Sequence, residues 1–89
     1  MSSIYFKFSN HALEEMERRK IPISLVEAVL KDPQQILEQS KDITIYQSQL
    51  DFGTAKIYLI RVFINTTRNP AIIVTVYRTS QIQKYWSHP

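Results

Sequence analysis

The side chains able to do chemistry in this 89-residue chain are Arg, Lys, Tyr and His, and there is no cysteine. Arg61 stands inside the apolar run KIYLIRVFIN, and Tyr77 and Arg78 close the next run, AIIVTVYR. A guanidinium binds two phosphate oxygens at once, so Arg61 and Arg78 are candidate phosphate clamps. Tyr46, Tyr77 and Tyr85 can stack on bases or donate a proton, and Lys84 adds a cation beside Tyr85. His11 is the candidate base. This set suits metal-independent RNA cleavage. A base takes the ribose 2′-OH proton, an acid such as Tyr77 protonates the leaving oxygen, and Arg61 steadies the phosphorane.

Each of these residues also has a plainer reading. His11 is a surface or capping residue, and Arg61 pairs with a helix acid such as Glu27. Tyr77 is a core-edge aromatic whose hydroxyl finds a partner. Lys84 and Tyr85 belong to an ordinary tail, with Trp86 packed over a sheet edge. Arg18-Arg19-Lys20 is a solvated helix end, where the dipole favours cations.

Other chemistries are excluded by composition. A single glycine leaves no Walker loop or dinucleotide fingerprint, and there is no Gly-x-Ser-x-Gly elbow. Two distant histidines and no cysteine argue against a zinc site, and no acids cluster in the strand region to hold magnesium. No cofactor and no metal are expected. The N-terminal MSSIYFKFSNH lacks the parts of a secretory signal, and no apolar run is long enough to cross a membrane. The expected setting is cytoplasmic.

Charge is divided along the chain. All eight acids lie between Glu14 and Asp51, and residues 1–53 carry six Lys or Arg, a balance of −2. Residues 54–89 carry Lys56, Arg61, Arg68, Arg78 and Lys84 with no acid, a balance of +5. Such asymmetry points the C-terminal half at an anion, either nucleic acid or an acidic protein segment.

The elements that must position these residues read as one domain over residues 1–89. Ile4, Phe6 and Phe8 alternate with Tyr5 and Lys7, as a short strand or an extended lead-in. Ser9 or Asn10 caps a helix whose stripe is Ala12, Leu13 and Met16, with Glu14–Arg18 and Glu15–Arg19 pairs outside it. Ile21-Pro22-Ile23 stops that helix. Ser24-Leu25-Val26-Glu27 reads as a capping box for a second helix, which Asp32-Pro33 ends. The expectation is an N-terminal αα-hairpin.

Strands follow over Ile36–Gln39 and Ile43–Phe52, then a hairpin over Lys56–Tyr77 turned by Asn65–Pro70, with Gly53 in the tight turn before it. Strict alternation puts Ile72, Val74 and Val76 on the core face. The other face is then Arg61, Thr75 and Tyr77 among Leu59, Phe63 and Ile73. Residues 78–89 are a short helix or an extended tail. The fold class is α+β, with the αα-hairpin on an antiparallel sheet of three to four strands.

Three segments together resemble a known family: His11-Ala12 with Met16, Arg19 and Ile21; Arg61-Val62; and Val74-Thr75-Val76-Tyr77. They are similar to small bacterial domain-of-unknown-function proteins commonly placed beside the BrnT and RelE/ParE toxin-like group. The likeness spans roughly Ser9 to Tyr77. It implies a RelE/BrnT-like fold of two helices followed by an antiparallel sheet. By the same resemblance the domain acts on RNA or the ribosome and pairs with a cognate antitoxin protein. His11, Arg19, Arg61, Thr75 and Tyr77 match the pattern, which adds Arg19 and Thr75 to Arg78, Lys84 and Tyr85 as RNA contacts. The chain departs from the pattern at Glu15, where Arg often precedes the Met, and at Lys20, where Gly often precedes the Ile. The alternative is a non-catalytic interaction module, a homodimer or a partner-binding domain.

Overall fold

The computed structural model describes residues 6–53 and 55–88. Its strands are β1 (Phe6–Phe8), β2 (Gln35–Glu38), β3 (Ile43–Asp51), β4 (Ile57–Asn65) and β5 (Ala71–Thr79). Its helices are α1 (Asn10–Arg18), α2 (Ile23–Lys31) and α3 (Ile82–Tyr85). The β-rich runs Ile57–Asn65 and Ala71–Thr79 pair antiparallel at the centre of a single sheet, in the order β1-β5-β4-β3-β2. The class is α+β, but the sheet has five strands and is mixed. β1 runs parallel to β5, with Phe6 opposite Ala71 and Phe8 opposite Ile73. The reading of three to four antiparallel strands is corrected accordingly. Of the predicted first strand, Ile4 and Tyr5 lie outside the described residues.

The αα-hairpin is also corrected. α1 packs along β5 and α2 across β3 and β4, with little contact between the two helices. Both sink apolar residues into one core: Ala12 and Met16 of α1, then Ile21, then Val26, Val29 and Leu30 of α2. The sheet contributes Ile60, Val62, Ile64, Ile73 and Val76.

Sequence chemistry explains the ends of α1. Ser9 caps its start: its Oγ accepts from Ala12 N and donates to the Val74 carbonyl, and its own N–H donates to the Ile73 carbonyl. The cap therefore also ties the helix to β5. At the other end Ile21 N bonds Met16 O and Lys20 N bonds Glu17 O, the paired bonds of a Schellman closure, with buried Ile21 and Met16 as its apolar contact. Lys20 holds the left-handed position of this closure at φ 55°. That is where the resembling pattern carries Gly, the residue with no steric cost there.

α2 starts without the predicted box. It begins at Ile23 behind Pro22, whose side chain cannot cap, and Ser24 lies inside the first turn.

The β4–β5 register slips between Phe63 and Ile64. Phe63 opposes Thr75 while Ile64 opposes Ile73, leaving Val74 as an extra residue. The bulge reverses the alternation upstream of it. Ile73 therefore joins Val76 in the core instead of standing beside Tyr77. The opposite face keeps Thr75 and Tyr77 from β5, Leu59, Arg61 and Phe63 from β4, and Ile45 and Gln47 from β3.

Candidate functional site

On that second face one row of side chains crosses four strands. Gln35 of β2 opposes Gln47 of β3, Gln47 opposes Arg61 of β4, and Arg61 opposes Tyr77 of β5. Directly opposed side chains on one face stand within about 5.5 Å at Cβ, so the row can bond along its length. Gln47 Nε2 donates to Gln35 Oε1 at 2.7 Å, Arg61 Nε donates to Gln47 Oε1 at 2.9 Å, and Arg61 Nη1 donates to Tyr77 Oη at 2.7 Å. Gln47 is wholly buried and Arg61 is 8% exposed.

Arg61 carries its charge among aromatic rings. Its Cζ lies 5.4 Å from the Phe63 centroid, 5.7 Å from Tyr77 and 4.6 Å from Tyr85. Cations over ring faces are attracted by about 0.5–2 kcal/mol each. Among the described residues the only ion pairs are those of Glu15 with Arg18 and Arg19, so Arg61 has no carboxylate partner. The pairing with Glu27 is not formed. A buried charge normally has a counter-ion. Here Arg61 Nη2 makes no hydrogen bond among the described residues, yet no buried polar atom lacks a partner. Nη2 is therefore the side of the guanidinium that reaches solvent. It can offer two N–H donors to an anion, and the Tyr77 O–H, which accepts from Nη1, can add a third.

Arg19 extends the row past Tyr77. Its Cζ, at the C-terminal end of α1, lies 5.8 Å from the Tyr77 ring centroid. Glu15 accepts from Arg18 and from Arg19 Nε at 2.9 Å. The expected Glu14–Arg18 pair is replaced by Glu15–Arg18. The bonds from Arg18 first, and from Arg19 second, lower the Glu15 carboxyl to about 2 from its ordinary 4.5.

The other predicted residues distribute differently. Tyr85 of α3 lies over Arg61 and meets Tyr77 edge-on at 6.2 Å. Thr75 shares the face and sits opposite Phe63. Lys84 stands beside the Tyr85 ring at 5.3 Å. Arg78 is adjacent to Tyr77 in β5, so it points to the opposite face. There it stacks on Phe52 and Tyr58, 4.7 Å from each centroid. Tyr46 packs against the helix-side core and Phe6. His11 is exposed in the first turn of α1. Eight positions along the helix separate it from Arg19, about 12 Å, and no bond links it to the row.

Gln35 and Gln47 were not singled out from sequence. The only available signal was the polar Gln47 in an otherwise β-rich stretch, and its partners depend on cross-strand register.

Among the described residues no group of His, Asp and Glu converges to hold a metal, and no helix is long and apolar enough to cross a membrane.

The family model of a domain of unknown function (DUF4258) matches residues 8–78, and the chain belongs to that family. No curated protein and no solved structure matches it.

Proposed function

We propose that this DUF4258 domain binds RNA, with a backbone phosphate on Arg61 and Tyr77 and bases against the Phe63 and Tyr77 rings. The observation that carries the reading is Arg61 itself: a buried guanidinium with no carboxylate partner among the described residues, held by Gln47 and three rings, with one edge toward solvent. Phosphate is the ligand whose geometry that edge fits. The absence of acids after Asp51 and the Arg19 cation beyond Tyr77 support it. So does the resemblance to the BrnT and RelE/ParE toxin-like group, which extends the proposal to an RNA-directed component of a toxin–antitoxin pair in the cytoplasm.

Cleavage is the second reading of the same site, favoured by the contact of Arg61 with the Tyr77 hydroxyl. The ribose 2′-OH proton would pass to solvent, since no base stands in the row, while Tyr77 would protonate the leaving oxygen and Arg61 would steady the phosphorane.

The test is fluorescence anisotropy with short labelled single-stranded RNA at several salt concentrations. Wild type should bind with an affinity that falls with salt. Arg61→Met, folded by circular dichroism, should bind about ten-fold more weakly, with a salt slope lower by about 0.7 for the lost phosphate. A gel of the same RNA reads cleavage. Products that persist with chelator and vanish in Tyr77→Phe favour the second reading. Equal affinity and slope in the two proteins reject the proposal.

A further inference from the structure

The segment after Thr79 touches the polar row as a peptide ligand touches a receptor. Gln35 Nε2 donates to the Ser87 carbonyl at 2.7 Å, and Ser87 N donates back to Gln35 Oε1 at 3.1 Å. One side-chain amide thus reads both main-chain groups of a single residue, whatever its side chain. Gln47 Nε2 donates to the Tyr85 carbonyl at 3.2 Å, two residues upstream, and the chain between is extended at Trp86. The Tyr85 ring supplies the side-chain anchor, over Arg61 and edge-on to Tyr77.

The segment is held weakly. None of residues 80–88 is buried, and α3 has no side-chain cap. Ordering eight residues opposes a few main-chain bonds and one ring contact. It also lies outside the family match, which stops at residue 78.

We propose that residues 81–88 are a dissociable peptide ligand of the Gln35–Gln47–Arg61 row, and that Tyr85 competes with an RNA base for the face of the Arg61 guanidinium, while the Nη2 edge stays open to phosphate. Docked, Tyr85 covers one face of the guanidinium. Released, it uncovers that face to the solvent. The apparent affinity for RNA is then the intrinsic one reduced by the fraction of undocked tail. The competition rests on the RNA reading above, whereas the docking does not.

The chain carries its own reporter, since Trp86 is the only tryptophan and lies within the tail. The test uses the full chain with Ser87→Pro, which removes the N–H bonded to Gln35. Trp86 is already extended at φ −74° and ψ 129°, the conformation a residue before proline takes. In Ser87→Pro, Trp86 emission should shift to the red and amide exchange in residues 81–88 should speed up. Labelled RNA should bind about five-fold tighter, the weight of one hydrogen bond. Saturating RNA should produce the same red shift in wild type, and a synthetic peptide of residues 80–88 added to Ser87→Pro should weaken RNA binding again. Gln35→Ala, which loses both bonds to Ser87, should loosen the tail at least as much as Ser87→Pro.

If emission and exchange are the same in wild type, both variants and the RNA-saturated protein, the tail is a fixed part of the fold and the proposal is overturned. If the tail loosens but RNA affinity does not change, the competition is overturned. If the peptide binds Ser87→Pro while no form binds RNA, the docking stands and the RNA reading fails.

Discussion

The two faces of the sheet bury side chains of opposite chemistry. The helix-side face is filled by Ile60, Val62, Ile64, Ile73 and Val76 under α1 and α2, and its stability needs no polar partner. The far face buries Leu59 and Ile45 as well, but it runs Gln35, Gln47, Arg61 and Tyr77 through their midst. A folded domain of this size gains most from apolar burial. A bonded polar row with an unpaired charge is a poor way to gain stability, because desolvation offsets most of what the bonds return. One face therefore holds the fold together, and the other spends part of that stability on holding Arg61 in place.

Substitutions on each face test this contrast. The largest effect belongs to the helix-side face. Ile60→Ala should destabilise by about 2–4 kcal/mol, read from urea unfolding, through lost burial and a residual cavity. On the far face Arg61→Met should cost less, about 1–2 kcal/mol in the same measurement, since losing an unpaired buried charge offsets part of the cost of leaving the buried Gln47 Oε1 without its donor. The function should move instead, with RNA affinity falling about ten-fold. If Arg61→Met unfolds the chain as readily as Ile60→Ala, the two faces are alike and the contrast is lost.

A smaller effect tests local backbone. Lys20→Gly should raise stability by about 0.5–1 kcal/mol, measured as a higher unfolding midpoint. It removes the cost of a left-handed side chain at φ 55°, less the extra freedom of Gly in the unfolded chain.

The smallest effect is electrostatic and lies on the exposed side of α1. The Glu15 carboxyl is lowered to about 2 in the folded chain by Arg18 and Arg19, from 4.5. A lowered folded pKa gives stability that is present above the unfolded value and lost as pH falls. The difference in melting temperature between wild type and Glu15→Gln should be full above about pH 5 and shrink steadily as pH falls from 4.5 toward 2. A difference independent of pH would mean that the pair does not form in solution.

Much of the fold was legible in local chemistry. The β4–β5 hairpin, the Ser9 cap, the Asp32-Pro33 stop and the Gly53 turn (φ 87°) each depend on residues close in sequence, and each lies where its residues point. Most of what failed depends on distant partners. The parallel pairing of β1 is a contact between the two ends of the chain. The bulge at Val74 moves Ile73 to the core, and no period-two count can foresee an inserted residue. Ser24–Glu27 has the letters of a capping box, but Pro22 begins the helix earlier.

The site divides in the same way. Arg61 and Tyr77 stood out as polar groups in apolar strands. Gln35 and Gln47 acquire their role only through the register that places them beside Arg61. Arg78 was grouped with Arg61 by composition, yet its position next to Tyr77 sends it to the other face.

The central claim is that the buried Arg61 is held ready for a phosphate. It is tested most directly by measuring the salt dependence of RNA binding for wild type and folded Arg61→Met side by side. Weaker binding and a shallower slope, by about 0.7, are expected in the variant. Identical curves for the two proteins would contradict it.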